Sequence, residues 1–252
     1  NFMKNNFFFK NLYSNIYKSP SRLSEVSSQI LYGEKFEILS KKKDWIKIKT
    51  LFDNYIGYIL NKNYTINHTA THKVFRLKAT IYNKNFKKKK YFLPFASKIS
   101  IIQENKKFIE FEKNKWIKKK DVKKTSHIEK NYLKILNLFL KTKYVWGGKT
   151  YNGIDCSALI QLIFFYNNKF YPRDTSLQIN YSKKKKILVN FKKGDIIFWK
   201  GHVAICLNKK SLIHAYGPKK RVIIMDIQKT IEEIKKNANL KILSLKNIDD
   251  IR

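Results

Sequence analysis

The chain has 252 residues and a mass of 30.1 kDa, which predicts two or three small domains. Its 43% hydrophobic and 15% aromatic content excludes intrinsic disorder, and a polar residue every few positions excludes a membrane span. Two cysteines, Cys156 and Cys206, are too few for a disulfide scaffold, and neither has zinc-ligand spacing.

The formal net charge of +36 raises the possibility of nucleic-acid binding, because a basic surface attracts phosphates. Only five of the 54 basic residues are Arg, however, and base-edge and bidentate phosphate recognition depends heavily on Arg. The joint abundance of Lys, Asn, Ile, Phe and Tyr matches A+T-rich codons. We therefore expect no specific nucleic-acid partner, and we predict solvated turns at the lysine runs 87–90 and 183–186.

The first 19 residues are predicted to form an N-terminal segment outside the domains. Their longest apolar run, residues 7–9, is too short for the core of a secretory signal. A cytoplasmic location is therefore expected, and a periplasmic or secreted location is the alternative if a signal precedes Asn1.

Two β domains are predicted next, at residues 20–65 and 72–123. Each contains short alternating segments separated by charged turns, as in residues 45–49 and 108–111. Two similar all-β units predict a tandem pair of small barrels, joined by a polar linker over residues 61–72.

A third domain is predicted over residues 126–252. Apolar spacing indicates a helix over 128–140, with Ser126 and Glu129 as a capping box. A second, apolar helix is predicted from Asp155 or Cys156 to Tyr166, followed by strands near 196–199, 202–207, 211–216 and 221–225. This order of helices and then a sheet indicates an α+β fold.

Cys156 stands at the start of that apolar helix, directly after a Gly-rich turn. Free N–H groups and the helix dipole at this end favour thiolate over thiol, so the position suits a nucleophile. A small packed residue is the alternative for such a Cys. Cys206, within an apolar strand, is predicted to be an inert buried thiol.

His202 and His214 lie on consecutive predicted strands. A hairpin centred on Asn208 would place the two imidazoles directly opposite each other, where His202 could take the proton of Cys156 and His214 could orient His202. A two-residue turn at Lys209-Lys210 would instead pair His214 with Ile205 and separate the imidazoles. Unrelated core histidines are a further alternative.

The same residues carry a family resemblance. Ordered blocks across roughly 110 residues resemble the NlpC/P60 cysteine peptidases: residues 144–148, 155–161, 172–174, Gln178, 194–205 and 213–215. The resemblance implies a papain-like catalytic domain without metal or cofactor. It also implies a catalytic triad of Cys156, His202 and His214, with Tyr144 and the Cys156 backbone N–H facing the oxyanion.

The first β domain, at residues 27–36 and 53–58, is similar to the SH3 domain of the dipeptidyl-peptidase branch of that family; residues 72–122 are less specifically similar to a second SH3 domain. That branch resembles γ-D-glutamyl-L-diamino-acid peptidases acting on peptides with a free N-terminal L-Ala. The implied binding residues are Asp155, Ser157, Thr175, Glu25 and Tyr55.

Two positions depart from the family pattern, and they leave substrate preference open. Ala158 stands where Gly is common, and Lys143 stands where Pro is common.

The sequence thus predicts a cysteine peptidase, with two SH3-like barrels, that hydrolyses the γ-D-Glu to diamino acid bond of murein peptides. A non-catalytic wall-binding SH3 protein and an acyltransferase on the same fold are the alternatives. The oligomeric state, and the choice between diaminopimelate and Lys, stay open.

Overall fold

The computed structural model describes residues 6–181 and 190–251. Contacts divide the chain into two compact units, residues 1–129 and residues 130–252, which are described separately below. The predicted lysine turn at 183–186 lies outside the described residues.

The first barrel is built around one antiparallel sheet. Alternating burial along the segment at residues 45–50 places the apolar side chains of Ile46 and Ile48 inside and the lysines outside, as a half-buried strand requires. The core also contains Phe9, Ile16 and Phe36. The seven strands are β1 (Asn6–Phe9), β2 (Tyr13–Tyr17), β3 (Val26–Leu31), β4 (Lys35–Lys42), β5 (Trp45–Thr50), β6 (Ile56–Leu60) and β7 (Tyr64–Thr65), in the order β3-β2-β6-β5-β4-β1-β7.

The prediction of a separate N-terminal segment at residues 1–19 is wrong. Strand β1 pairs with β4, and β2 pairs with β3 and β6, so both belong to the first barrel. The physical reason is burial: Phe9 and Ile16 are 1% exposed in the barrel core. The apolar segments that form β1 and β2 are short, and Lys10 interrupts them, so the sequence pattern did not indicate two strands.

The second β domain has a five-stranded and a three-stranded sheet. Their orders are β10-β9-β14-β13-β12 and β11-β8-β15. The strands are β8 (His72–Val74), β9 (Lys78–Tyr82), β10 (Lys88–Pro94), β11 (Lys98–Ile99), β12 (Gln103–Glu104), β13 (Phe108–Glu112), β14 (Lys115–Lys118) and β15 (Val122–Lys124). A 3-10 turn occupies Lys119–Asp121. Residues 88–90 begin β10, so the lysine run at 87–90 is mostly strand and not the predicted turn.

The two β domains share contacts within their unit. Tyr32 packs into the core of the second domain, and its hydroxyl donates to Glu112 Oε1 at 2.7 Å. Gly33 adopts φ +75°, and a Cβ there would lie 1.9 Å from the carbonyl oxygen of Lys98. Only glycine allows this close backbone approach, so one residue of the first barrel determines how the second domain fits against it.

The C-terminal unit places helices beside a five-stranded antiparallel sheet. Its elements are α1 (Tyr132–Phe139), β16 (Lys149–Thr150), β17 (Gly153–Ile154), α2 (Cys156–Tyr166), α3 (Thr175–Gln178), β18 (Asp195–Trp199), β19 (His202–Cys206), β20 (Ser211–Tyr216), β21 (Arg221–Asp226), α4 (Ile227–Ala238) and β22 (Ser244–Asn247), with a 3-10 turn at Ile248–Asp250. The large sheet has the order β21-β20-β19-β18-β22.

Helix α2 is the centre of this unit. All eleven of its residues are buried, and it packs against β19 and β20, which carry the two histidines. The predicted apolar helix is thus observed with the predicted bounds. Because it is enclosed on all sides, its N-terminus has a fixed position relative to the sheet.

The other helices show where local pattern failed. Helix α1 begins at Tyr132, capped by Asn131, whose side chain accepts from the Leu133 N–H; the predicted capping box of Ser126 and Glu129 is not used. The sequence analysis assigned no element after residue 225, yet α4 and β22 follow there. In the two described ranges, none of the helices combines the length and apolarity needed to span a bilayer.

Candidate active site

Cys156 is the first residue of α2. The preceding residue, Asp155, is the N-cap: its extended backbone ends the loop, and its Oδ1 accepts from the Ala158 N–H at 2.8 Å. The Cys156 thiol therefore lies at the helix end where backbone N–H groups lack intrahelical partners.

Asp155 is held by a buried ion pair. Arg173 Nη2 lies 2.7 Å from Asp155 Oδ2, and Arg173 Nη1 lies 2.9 Å from Asp155 Oδ1. The Gly147 N–H also donates to Oδ2 at 3.0 Å. With Arg173 only 2% exposed, this fork ties the Gly-rich turn, the start of α2 and the loop after α2 together.

Opposing effects act on the pKa of the Cys156 thiol. Burial, and then the Asp155 charge, raise its pKa to about 12, although N–H groups of Val203 and Ser157 and the Arg173 charge oppose the rise. Desolvation thus outweighs the helix end, and the thiol is protonated at neutral pH. Its sulfur lies 4.0 Å from the carbonyl oxygen of Gly201, just before β19.

The two histidines lie side by side, although neither predicted register is correct. Ile205 pairs with Ile213 and Cys206 with Leu212, two residues away from the register that would place His202 directly opposite His214. An even shift keeps both imidazoles on one face of the sheet. The two side chains meet diagonally across the neighbouring strands, and His202 Nε2 lies 2.9 Å from His214 Nδ1.

Both imidazoles are neutral at physiological pH. Burial lowers the pKa of His202 to about 4, and burial together with His202 lowers the pKa of His214 well below its ordinary value. His214 is fully buried, whereas His202 keeps partial exposure. A protonated thiol and a neutral, partly accessible imidazole, on a helix and a strand that pack together, are the two groups that general-base activation of a nucleophile requires.

Aromatic rings fix the planes of the histidines. Tyr216 stacks on His214 with centroids 4.5 Å apart and an interplanar angle of 12°, and its centroid lies 5.5 Å from that of His202. The ring centroid of Trp199, on the neighbouring strand β18, lies 5.6 Å from that of His202. The sequence analysis gave Tyr216 no role; its place two residues after His214, on the same face of β20, was the available signal.

Tyr144 lies in the same neighbourhood. Burial and the charges of Cys156 and Asp155 raise the pKa of its hydroxyl, which therefore keeps its proton. The ring edge lies 3.6 Å from the position that a Cβ on Gly217 would occupy, so the ring is within van der Waals reach of the turn after β20. A protonated phenol beside the thiol is able to donate to a developing oxyanion.

Ser157 contacts the ion pair, and Thr175 lies further along the chain. The Ser157 hydroxyl donates to Asp155 Oδ1 at 3.2 Å and accepts from Arg173 Nη1 at 2.9 Å. Thr175 begins the short helix α3 and is partly buried. The Gln178 side chain donates to the carbonyl oxygen of Ser157 at 3.0 Å, which fixes the backbone after the nucleophile.

Glu25 and Tyr55 belong to the first barrel. Glu25 is exposed and pairs with Lys18 at 2.6 Å, and the Tyr55 hydroxyl donates to the carbonyl oxygen of Ser27 at 3.3 Å. Both side chains lie near the start of β3. Their predicted substrate role stays a prediction.

Cys206 lies within β19 with no exposed surface, and burial followed by the Asp195 charge raises the pKa of its thiol to about 12. It belongs to the hydrophobic core, as predicted for an inert thiol.

Arg173, like Tyr216, is a residue of the site to which no role was assigned from sequence. Its place in the family-like block at residues 172–174 was the available signal. The structure places its guanidinium on the residue preceding the nucleophile.

Two family models match the chain. The NlpC/P60 family matches residues 141–238, which include every site residue described above in the C-terminal unit. The bacterial dipeptidyl-peptidase SH3 domain matches residues 16–63, in the first barrel.

Relatives match most of the chain at low identity. Dipeptidyl-peptidase 6 of Lysinibacillus sphaericus is 23% identical over 229 residues, covering 80% of this chain and 84% of the relative. The Gamma-D-glutamyl-L-lysine dipeptidyl-peptidase of Bacillus subtilis is 24% identical over 235 residues, covering 82% and 78%.

The fold is shared with a solved structure. An NlpC/P60 family protein from Bacillus cereus superposes with a TM-score of 0.79 at 17% identity, covering 98% of this chain and 100% of that one. The predicted fold class, α+β with SH3-like β domains, is confirmed. The chain therefore combines a bacterial dipeptidyl-peptidase SH3 domain, at residues 16–63, with an NlpC/P60 domain, at residues 141–238, and it is a cysteine-type peptidase.

Proposed function

We propose that this peptidase hydrolyses the bond between γ-D-Glu and the diamino acid in cell-wall peptides that have a free N-terminal L-Ala. The observation that carries the proposal is the 2.9 Å contact between His202 and His214 on the strands that pack against the Cys156 helix. The names of the relatives, dipeptidyl-peptidase and Gamma-D-glutamyl-L-lysine dipeptidyl-peptidase, support the substrate class.

In the first step, His202 takes the thiol proton as the Cys156 sulfur attacks the γ-carbonyl carbon of the D-Glu residue. The carbonyl oxygen becomes an oxyanion, stabilised by the Cys156 backbone N–H and the Tyr144 hydroxyl. The C–N bond then breaks, and His202 returns the proton to the departing amine of the diamino acid. The product on the enzyme is a thioester.

In the second step, a water molecule loses a proton to His202 and attacks the thioester carbonyl. The C–S bond breaks, the sulfur regains its proton, and the L-Ala-γ-D-Glu dipeptide leaves as a carboxylate. His214 orients His202 and stabilises the transient imidazolium through the contact between their nitrogens. Neutral resting imidazoles are suited to this role, because each cycle begins with an unprotonated base.

Recognition of the free amino terminus would use Asp155, Ser157 and Thr175 of the C-terminal unit, whereas a role for Glu25 and Tyr55 of the first barrel stays a prediction. The Asp155 charge is already paired with Arg173, so a substrate ammonium would share that carboxylate with the guanidinium. A blocked amino terminus would lose the charge-assisted contact with Asp155, so this site would disfavour acetylated peptides.

The test uses L-Ala-γ-D-Glu-diaminopimelate, its L-Lys counterpart and the N-acetylated form of each, with products identified by mass spectrometry. We expect cleavage after D-Glu for the free peptides, at least tenfold slower cleavage of the acetylated ones, and none with Cys156→Ala. Cys206→Ala is the matched control, with activity retained. Cleavage by Cys156→Ala at the wild-type rate would overturn the proposal, as would an acyl transfer product in place of the free dipeptide.

A further inference from the structure

A sulfur atom contacts the outer nitrogen of the histidine pair. Met225 Sδ lies 3.3 Å from His214 Nε2, on the side of the imidazole away from His202. Met225 lies on β21, which pairs with β20 through residues 211–216, and its side chain packs against the core of the unit. Four atoms thus follow one another across the sheet: the Met225 sulfur, Nε2 and Nδ1 of His214, and Nε2 of His202.

This order has a consequence for protons. A thioether sulfur accepts hydrogen bonds weakly and donates none, so the contact favours a proton on His214 Nε2. A neutral imidazole carries one proton, which leaves His214 Nδ1 as an acceptor. His202 must then donate from Nε2 across the 2.9 Å contact, and its Nδ1 keeps the free lone pair.

The opposite set of tautomers would disable the base. A proton on His214 Nδ1 would point at His202 Nε2, place the His202 proton on Nδ1, and leave no lone pair there. It would also bring the bare Nε2 of His214 against the sulfur lone pairs, where no hydrogen bond forms. The stack of Tyr216 fixes the plane of the His214 ring but not the position of its proton.

We propose that Met225 is a positioning residue, whose sulfur selects the tautomer of His214 and, through it, leaves His202 Nδ1 as the free base. The effect on turnover rests on the proposed function of the pair, whereas the tautomer itself is a property of the free protein. The two are therefore separable by measurement.

The test replaces the sulfur by a methylene group of nearly the same shape. The chain contains two methionines, Met3 and Met225, so a Met3→Leu variant produced with norleucine changes the sulfur at position 225. The same variant produced with methionine is the matched control. Two-bond proton–nitrogen NMR spectra of 15N-histidine protein distinguish protonated from bare ring nitrogens, with assignments from His202→Gln and His214→Gln.

We expect the methionine form to show a proton on Nε2 of both histidines. The norleucine form should show a mixture of tautomers and a roughly two- to tenfold lower kcat, with KM little changed, because a neutral hydrogen bond contributes an effect of that size. Met225→Gln, whose side-chain oxygen accepts, should restore the Nε2 proton of His214. Identical nitrogen spectra in the sulfur and methylene forms would overturn the proposal, even if the peptidase is active.

Discussion

Arg173 and Asp155 form a buried, two-pronged ion pair, with nitrogen to oxygen distances of 2.7 and 2.9 Å, immediately before the nucleophile. Asp155 also caps α2, so one carboxylate both starts the helix and receives the guanidinium. The position of Cys156 consequently depends on Arg173, which lies eighteen positions after Asp155 in the chain.

Removal of the guanidinium should be costly. Arg173→Met leaves the Asp155 carboxylate buried without its partner, and we expect a loss of about 3–5 kcal/mol in the free energy of unfolding. Arg173→Lys keeps the charge but loses the fork, so an intermediate loss is expected. Urea denaturation of the three proteins measures the difference. Equal stability of wild type and Arg173→Met would show that the pair is not structural.

Acid should destabilise the C-terminal unit through the histidine pair. Both imidazoles have a pKa below the ordinary value in the folded state, so the unfolded chain binds more protons as pH falls below about 6.5. The contribution of these two histidines to the free energy of unfolding is therefore constant above about pH 6.5. At lower pH the free energy of unfolding decreases by up to about 1.4 kcal/mol per pH unit for each histidine.

The measurement is the unfolding free energy between pH 7.5 and 5 for the wild type and a His202→Gln, His214→Gln double variant, with pH values chosen to span the ordinary histidine pKa of about 6.5. The double variant keeps the contributions of His68 and His72, whose pKa values burial also lowers. We expect the shallower slope in the double variant. Parallel slopes would contradict buried, neutral imidazoles.

The rate at which iodoacetamide alkylates Cys156 should still increase with pH at neutral pH. With a pKa of about 12, the Cys156 thiolate fraction rises about tenfold per pH unit between pH 7 and 9, and the iodoacetamide rate should follow it. A Cys206→Ala background confines the label to Cys156. A rate that is already constant at pH 7 would indicate a resting thiolate–imidazolium pair instead.

Glu25 provides a test of the SH3 contribution. If its carboxylate binds the substrate ammonium, Glu25→Gln should raise KM for the free peptide about tenfold and leave the acetylated peptide unchanged, since one charge-assisted hydrogen bond is lost. Lys18→Gln is the matched control, because it removes the ion-pair partner and frees the carboxylate. The same KM in Glu25→Gln and wild type would exclude Glu25 from the binding site.

Local pattern was a good guide where the chain is strongly periodic or carries a cap. Helix α2, with Asp155 before it and eleven buried residues, was predicted with its bounds, and β20 was predicted at 211–216. Pattern failed for β1 and β2, because Phe9 and Ile16 are buried by strands distant in sequence. Helix α4 was missed although its pattern was available: Asp226 caps it, and its buried residues Ile227 and Ile234 follow helical spacing.

The residue types of the site, their order and the helix start that presents Cys156 follow from local sequence, because capping and periodicity act over a few neighbouring residues. How those residues interact depends on the assembled fold. The register of β19 against β20 sets the diagonal contact of His202 with His214. Burial raises the pKa of the Cys156 thiol, although the N–H groups at the helix end lower it. Register and desolvation depend on the assembled core, so no local stretch of sequence specifies them.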